Sequence, residues 1–180
     1  ELAANNDSSP LNTLRFTDLD TVTAANQQIG KIEFKSNDVT GDGALVRAFI
    51  NCFAEDTSPS AAISFAVNAG GAGTATEEAV RITSVGRVGI NRTSPNGLLH
   101  LQSDSGSDAE LYIQTSSASD GSTICFGDDS SSTVGQIQYV HSDNSMRFRV
   151  TGAEAARIDT SGNLLVGTTN NSPVGNNVAG

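Results

Sequence analysis

Tryptophan is absent from this chain of 180 residues, and aromatic residues make up only 5% of it. Without bulky rings a single large interior is hard to fill, and one or two small modules with thin cores are the sizes left open. Cysteine is nearly missing too: Cys52 and Cys125 lie 73 positions apart, with no CxxC pair, so no disulfide framework is supported and both read as small buried hydrophobes. Only ten Lys and Arg stand against twenty Asp and Glu, a formal net charge of −10. That leaves little with which to neutralise nucleic-acid phosphates. No apolar run approaches the roughly 18 residues of a membrane span, and no signal-peptide pattern is present. What the chain does have is 18 glycines, 22 serines, 17 threonines and 15 asparagines, beside 37% hydrophobic residues. That hydrophobic content argues against simple disorder, so the apolar side chains must be buried economically, against a second layer or a neighbouring chain.

The apolar residues recur with the period of strands. Ile32 and Phe34; Val46, Ala48, Ile50 and Cys52; Ile63, Phe65 and Val67; Val80 and Ile82; Val88 and Ile90 all alternate. The pattern continues through Leu99 and Leu101, Leu111 and Ile113, Ile124 and Phe126, Ile137 and Tyr139, and Met146, Phe148 and Val150. "TGDG", "NAGGAG", "SVGR", "SPNG" and "TSGN" separate them with Gly and Asn where positive φ is needed. Short strands joined this way read as an all-β antiparallel meander. "TATEEAV" is too short for an independent helix and reads as extended or as a single turn.

Internal repetition organises the chain. "EAVRITSVGRVGINRTSP" ahead of Pro95 returns as "EAARIDTSGNLLVGTTNNSP" ahead of Pro173, with Arg81 matching Arg157 and Gly86 matching Gly162 at an offset of 76. "IGKIEF" pairs with "VGQIQY", and "ISFAV" with "MRFRV". Two tandem small β-meander modules result, over residues 14–96 and 97–174, flanked by linkers at 1–13 and 175–180. The first carries an inserted strand excursion, "NDVTGDGALVRAFINCFAEDTSPSAA". Its strand is apolar at both parities, which predicts cover on both faces. Opening at Glu1 without Met and stopping at Gly180 in mid-repeat, the chain is expected to be a processed form or a section of something longer.

"RIDTSGNLLVGTT" and "RVGINRTSPNGLLHL" resemble the phrases that punctuate tail-fibre proteins of bacteriophages, especially marine and cyanobacterial ones, and "LRFTDLDTVTAANQQIGKIEFKSNDVTGDGALVRAFI" resembles the segment preceding them. The resemblance spans about 14–173. The chain departs from the phrase at Ser84, Val85, Asn91 and Arg92. The resemblance implies an elongated, parallel homotrimer with a β-prism-like shaft, in which three chains build the core together. Thin modules reach adequate burial that way, since roughly 25 cal/mol per Å² of apolar area accrues from three copies at once. It further implies a virion-tail, extracellular location, end-to-end contact with adjoining fibre modules, and a host cell-surface polysaccharide as the partner of an adhesive end. The expected function is a structural shaft section giving reach and rigidity, with no catalysis. The alternatives are a subunit of a free extracellular filament and a carbohydrate-active tailspike fragment.

Within the repeated phrase, Arg81 and Arg157 are expected to pair with Glu78 and Glu154 or with a neighbouring chain's carbonyls. Gly86 and Gly162 take the hairpin turns. Pro95 and Pro173 end the return strands, because proline cannot donate to a ladder. No catalytic pair, cofactor or metal ligand set is nominated. "DVTGDG" offers oxygens at Asp38, Thr40 and Asp42, but the EF-hand position requiring Glu holds Phe49, and the segment reads as a turn. His100 and His141 stand alone. In a trimer a histidine near the axis is presented three times, which makes His100 the one candidate axial site, against a packed or solvated ring. Asn6, Asn91 and Asn170 open N-x-[ST] triplets.

Overall fold

The computed structural model describes residues 14–38, 45–68, 76–167 and 169. The linkers, the turns at 40–43 and 69–73, Thr40, Asp42, Asn6, Asn170 and Pro173 lie outside them. Every regular element among the described residues is a strand. The chain divides into two compact units, Glu1–Ala109 and Glu110–Gly180.

The first unit is one six-stranded sheet in sequence order: β1 (Gln28–Ser36), β2 (Leu45–Ala54), β3 (Ala61–Asn68), β4 (Thr76–Ile82), β5 (Val88–Ile90) and β6 (Leu99–Leu101). The second is a five-stranded sheet: β7 (Gly121–Phe126), β8 (Gly135–Val140), β9 (Ser145–Val150), β10 (Ala153–Ile158) and β11 (Leu164–Val166). All neighbours are antiparallel except β5 and β6, which run parallel. The expected meander therefore fails at that one step. A parallel crossover usually needs a dozen or more residues. Here residues 91–98 suffice, because the chain turns sharply at Asn91 (φ +53°) and passes directly over Gly89. A Cβ at Gly89 would lie 1.9 Å from the Arg92 carbonyl oxygen, so only glycine admits the crossing.

This crossover moves the module boundary. Leu99–Leu101, expected in the second module, completes the first sheet instead. Pro95 does not end the return strand either: β5 stops at Ile90, and Pro95 sits buried in the crossover with its carbonyl accepting from the Arg87 guanidinium at 3.2 Å.

Register shows that β2 is no insertion. Counting from the matched strands β3 and β9, the pairing Ile32–Ile50–Phe65–Val80–Ile90 across β1 to β5 has its counterpart in Ile124–Ile137–Phe148–Ala156–Val166 across β7 to β11. A second row, Gly30–Cys52–Ile63–Ile82–Val88, matches Ser122–Tyr139–Met146–Ile158–Leu164. So β2 corresponds to β8, and "IEF" in β1 corresponds to "ICF" in β7. "VGQIQY" matches "IGKIEF" in letters but not in place. Among the described residues the element without a counterpart is β6. The strand expected at Leu111 and Ile113 does not form, and residues 108–115 have no ladder partner.

Candidate functional site

Each sheet has one charged face and one apolar face, and the two are finished very differently. Alternation puts Ala62, Ser64 and Ala66 of β3 on the charged face, where all three are buried. They are small, and longer neighbours lie across the same face. The Lys31 ammonium stands 3.9 Å from the centre of the Phe49 ring, and the Arg81 guanidinium carbon 4.8 Å from that of Phe53. Arg81 in turn grips Glu78 through Nε at 2.6 Å and a terminal nitrogen at 2.7 Å. Cations over ring faces and a two-point carboxylate pair engage this layer within the chain itself, while the buried Asn51 Oδ1 meets no hydrogen-bond donor among the described residues.

Glu78 and Arg81 are three residues apart, so a regular strand would place them on opposite faces. A β-bulge resolves the conflict: the register slips between the Phe65–Val80 and Ala66–Glu78 pairs, leaving Ala79 as the extra residue. The Ala79 carbonyl accepts from the Asn91 N–H at 2.8 Å. The second sheet repeats every part of this. Ala155 is extra on β10, its carbonyl accepts from Gly167 N–H at 2.9 Å, and Arg157 holds Glu154 through two nitrogens at 2.5 and 2.7 Å. Asn91 takes the left-handed conformation at the place where the second copy has Gly167 (φ +67°), a substitution asparagine tolerates.

The second charged face has a wider network, since Arg147 of β9 also contacts Asp143 and lies 3.6 Å from Glu154. Arg157 holds the Glu154 carboxyl below its ordinary range. The Ser145 hydroxyl, then Arg147, do the same for Asp143. Asp159 is held low by the Asn163 backbone and side-chain amides at the following turn. Both repeat turns are three-residue loops closed by a left-handed glycine. Gly86 (φ +76°) donates to the Thr83 carbonyl at 2.9 Å, and Gly162 (φ +82°) to that of Asp159 at 2.9 Å. Ser84 and Val85 thus leave the turn geometry intact.

The opposite faces carry the apolar rows given above, and they are left open. Phe34 and Phe126 are each 55% exposed, and Val166 is 71% exposed. Ile32, Ile63, Phe65, Val67, Ile82 and Ile90 join them in the first sheet, and Ile124, Phe148, Val150, Ile158 and Leu164 in the second. Among the described residues the buried hydrophobic side chains are Phe53, Ala54, Ala62, Ala66 and Leu165. The first sheet has one partial cover: Phe16, in the segment ahead of β1, packs on Gly30, where a Cβ would lie 2.6 Å from the Phe16 Cβ. Beside it is an apolar hollow of about 250 Å³ lined by Ile29, Ile32, Ile50, Cys52 and Ile63. Thus β2 is covered by its own chain on the Phe49 and Phe53 side, while its Ala48, Ile50 and Cys52 side belongs to the open rows.

His100 lies on the charged face, paired across the ladder with Gly89, and its Nδ1 accepts the Asn96 N–H at 3.3 Å. His141 is brought instead to Tyr139 and Ser122. Among the described residues no group of three or more His, Cys, Asp or Glu is gathered as a metal would require. Cys52 is half-buried within an apolar row. Cys125 is exposed, contrary to the reading of both cysteines as buried, because alternation on the edge strand turns Ile124 and Phe126 to one face and Cys125 to the other. Asn91 is exposed, with its side-chain amide donating to Asp104 at 2.8 Å. Sequence alternation located both apolar faces; the bulged alanines went unread, though an odd spacing between partners of opposite charge in a strand is a usable signal for one.

No known protein family matches the chain, and no curated protein matches it.

Proposed function

We propose that the chain is a structural section of a viral tail-fibre shaft, built as a parallel homotrimer whose apolar sheet faces cover one another. The observation that carries this reading is the repeated one-sided finish: two sheets in one chain, each pairing arginine with glutamate across its charged face and leaving its apolar face open. Exposed apolar areas of this extent in a soluble protein mark surfaces that another chain covers. The charged faces then point outward into solvent, and the excess of acid in the loops keeps the assembly soluble. The resemblance of "RIDTSGNLLVGTT" and its twin to tail-fibre phrases supplies the viral setting. Adjoining fibre modules are the end-to-end partners, and host-surface polysaccharide is the target of the adhesive end that the shaft carries.

Antibody raised against the chain tests the setting. Labelling of the tail fibres of virions by electron microscopy is the expected result. Labelling of long unbranched filaments without virions overturns it in favour of a free extracellular filament. The no-catalysis part is checked by incubating the protein with host polysaccharide, where release of reducing sugar overturns it.

A further inference from the structure

The segment ahead of β7 repeats the motif of β6. Leu111-Tyr112-Ile113-Gln114-Thr115 follows the same order of residue types as Leu99-His100-Leu101-Gln102-Ser103: aliphatic, ring, aliphatic, glutamine, hydroxyl. The first of these pairs with nothing, while the second forms a strand. Leu111 and Tyr112 are 64% and 78% exposed, and no hydrogen bond of the described residues engages the backbone of residues 110–114. A run of Leu, Tyr, Ile and Thr whose backbone meets no partner among the described residues has strand composition without a sheet.

The vacancy for it is equally specific. In the first sheet β6 lies parallel beside β5, with Val88 N–H donating to the Leu98 carbonyl at 2.8 Å and Gln102 N–H donating to the Ile90 carbonyl at 3.1 Å. The counterpart of β5 is β11, which is an edge strand of the second sheet among the described residues. Its pairing with β10 through Arg157 and Leu165 turns Leu164 N–H and Val166 C=O toward the open edge, as Val88 N–H and Ile90 C=O are turned in β5.

We infer that residues 111–115 of one copy add as a parallel strand to β11 of a neighbouring copy. Leu111 then lies beside Leu164, Tyr112 beside Leu165 and Ile113 beside Val166, as Leu99, His100 and Leu101 lie beside Val88, Gly89 and Ile90. Strand addition of this kind takes its affinity from main-chain hydrogen bonds and its register from alternate side chains. It also extends the second apolar face by Leu111 and Ile113. The donor is a second copy because, in the single chain, where no described residue pairs with that edge, the segment does not take it. This rests on the oligomer proposed above and adds exchange of a strand between its chains.

The test uses the full chain with Cys52→Ala and Cys125→Ser, carrying Ile113→Cys and Val166→Cys together. Adjacent parallel strands bring such a pair within disulfide reach. After mild oxidation, a non-reducing denaturing gel is expected to show bands at two and three chain masses. A band at one chain mass with its thiols consumed overturns the exchange, placing the strand on its own chain. Thiols that stay free in an intact oligomer overturn the exchange and leave the oligomer standing. A monomer by native mass measurement overturns both. On the unsubstituted chain, hydrogen exchange reads the same contact: slow amides across residues 111–115 in the oligomer are expected, and exchange as fast as in an open peptide overturns the pairing.

Discussion

At the scale of single residues, the repeated phrase is held by three kinds of contact: a carboxylate gripped by arginine, a carbonyl freed by a bulge, and a left-handed glycine. The carboxylates make one part of the stability depend on pH. Glu154, Asp143 and Asp159 all titrate below their ordinary values in the folded chain. A depressed folded value means the contribution is fully present above the unfolded carboxylate range, near pH 4, and is lost as pH falls through the folded values. Thermal unfolding of the second sheet is therefore expected to hold steady from pH 7 to about 5 and then fall. Glu154→Gln lowers the neutral plateau by roughly 1 kcal/mol and flattens that acid limb. The glycines give a second prediction. Gly162→Val costs about 1 to 2 kcal/mol, read as a lower unfolding midpoint, because a β-branched side chain opposes φ of +82°. Asn91→Gly, at a position already left-handed, is expected to lower the midpoint only slightly, through loss of the amide's bond to Asp104.

At the scale of elements, alternation made the strands visible, most plainly where one parity is wholly apolar: Ile63, Phe65 and Val67 need no context to be read. Turns were legible for the same local reason, since Gly86 and Gly162 announce positive φ. What alternation did not carry was partnership. "IGKIEF" and "VGQIQY" look alike, yet the sheet equates β1 with β7, because equivalence is set by register to the neighbouring strand. Leu99–Leu101 and Leu111–Ile113 read as equal strands, and only the first is paired within its own chain among the described residues. The bulges were unread because a bulge is a relation between two strands. Their importance can be measured. Deleting Ala155 leaves Glu154 and Arg157 two residues apart, on one face of a regular strand, and removes the carbonyl that accepts from Gly167 N–H. The deletion is expected to keep the cooperative unfolding of the second sheet in circular dichroism at a lowered midpoint, and Ala155→Gly, which keeps the bulge, to lower it by less; loss of the folded signal on deletion contradicts this.

At the scale of the whole molecule, repetition supplies two sheets with the same unfinished surface. Five buried hydrophobic side chains among the described residues, three of them alanines, are too few to offset the ordering of eleven strands. In the proposed trimer the remaining stabilisation comes from cover over the apolar rows, which would couple folding to assembly, and the unfolding midpoint is then expected to rise with protein concentration. Phe65 and Phe148 sit mid-row in the two sheets, and replacing either by Asp strands a charge where that cover belongs. The most direct test is native mass measurement of the full chain, repeated with Phe65→Asp and Phe148→Asp combined. The account predicts a species of three chain masses of 18.5 kDa each for the unsubstituted protein and its loss in the double variant. A folded, stable monomer of the unsubstituted chain, with cooperative unfolding independent of concentration, contradicts it.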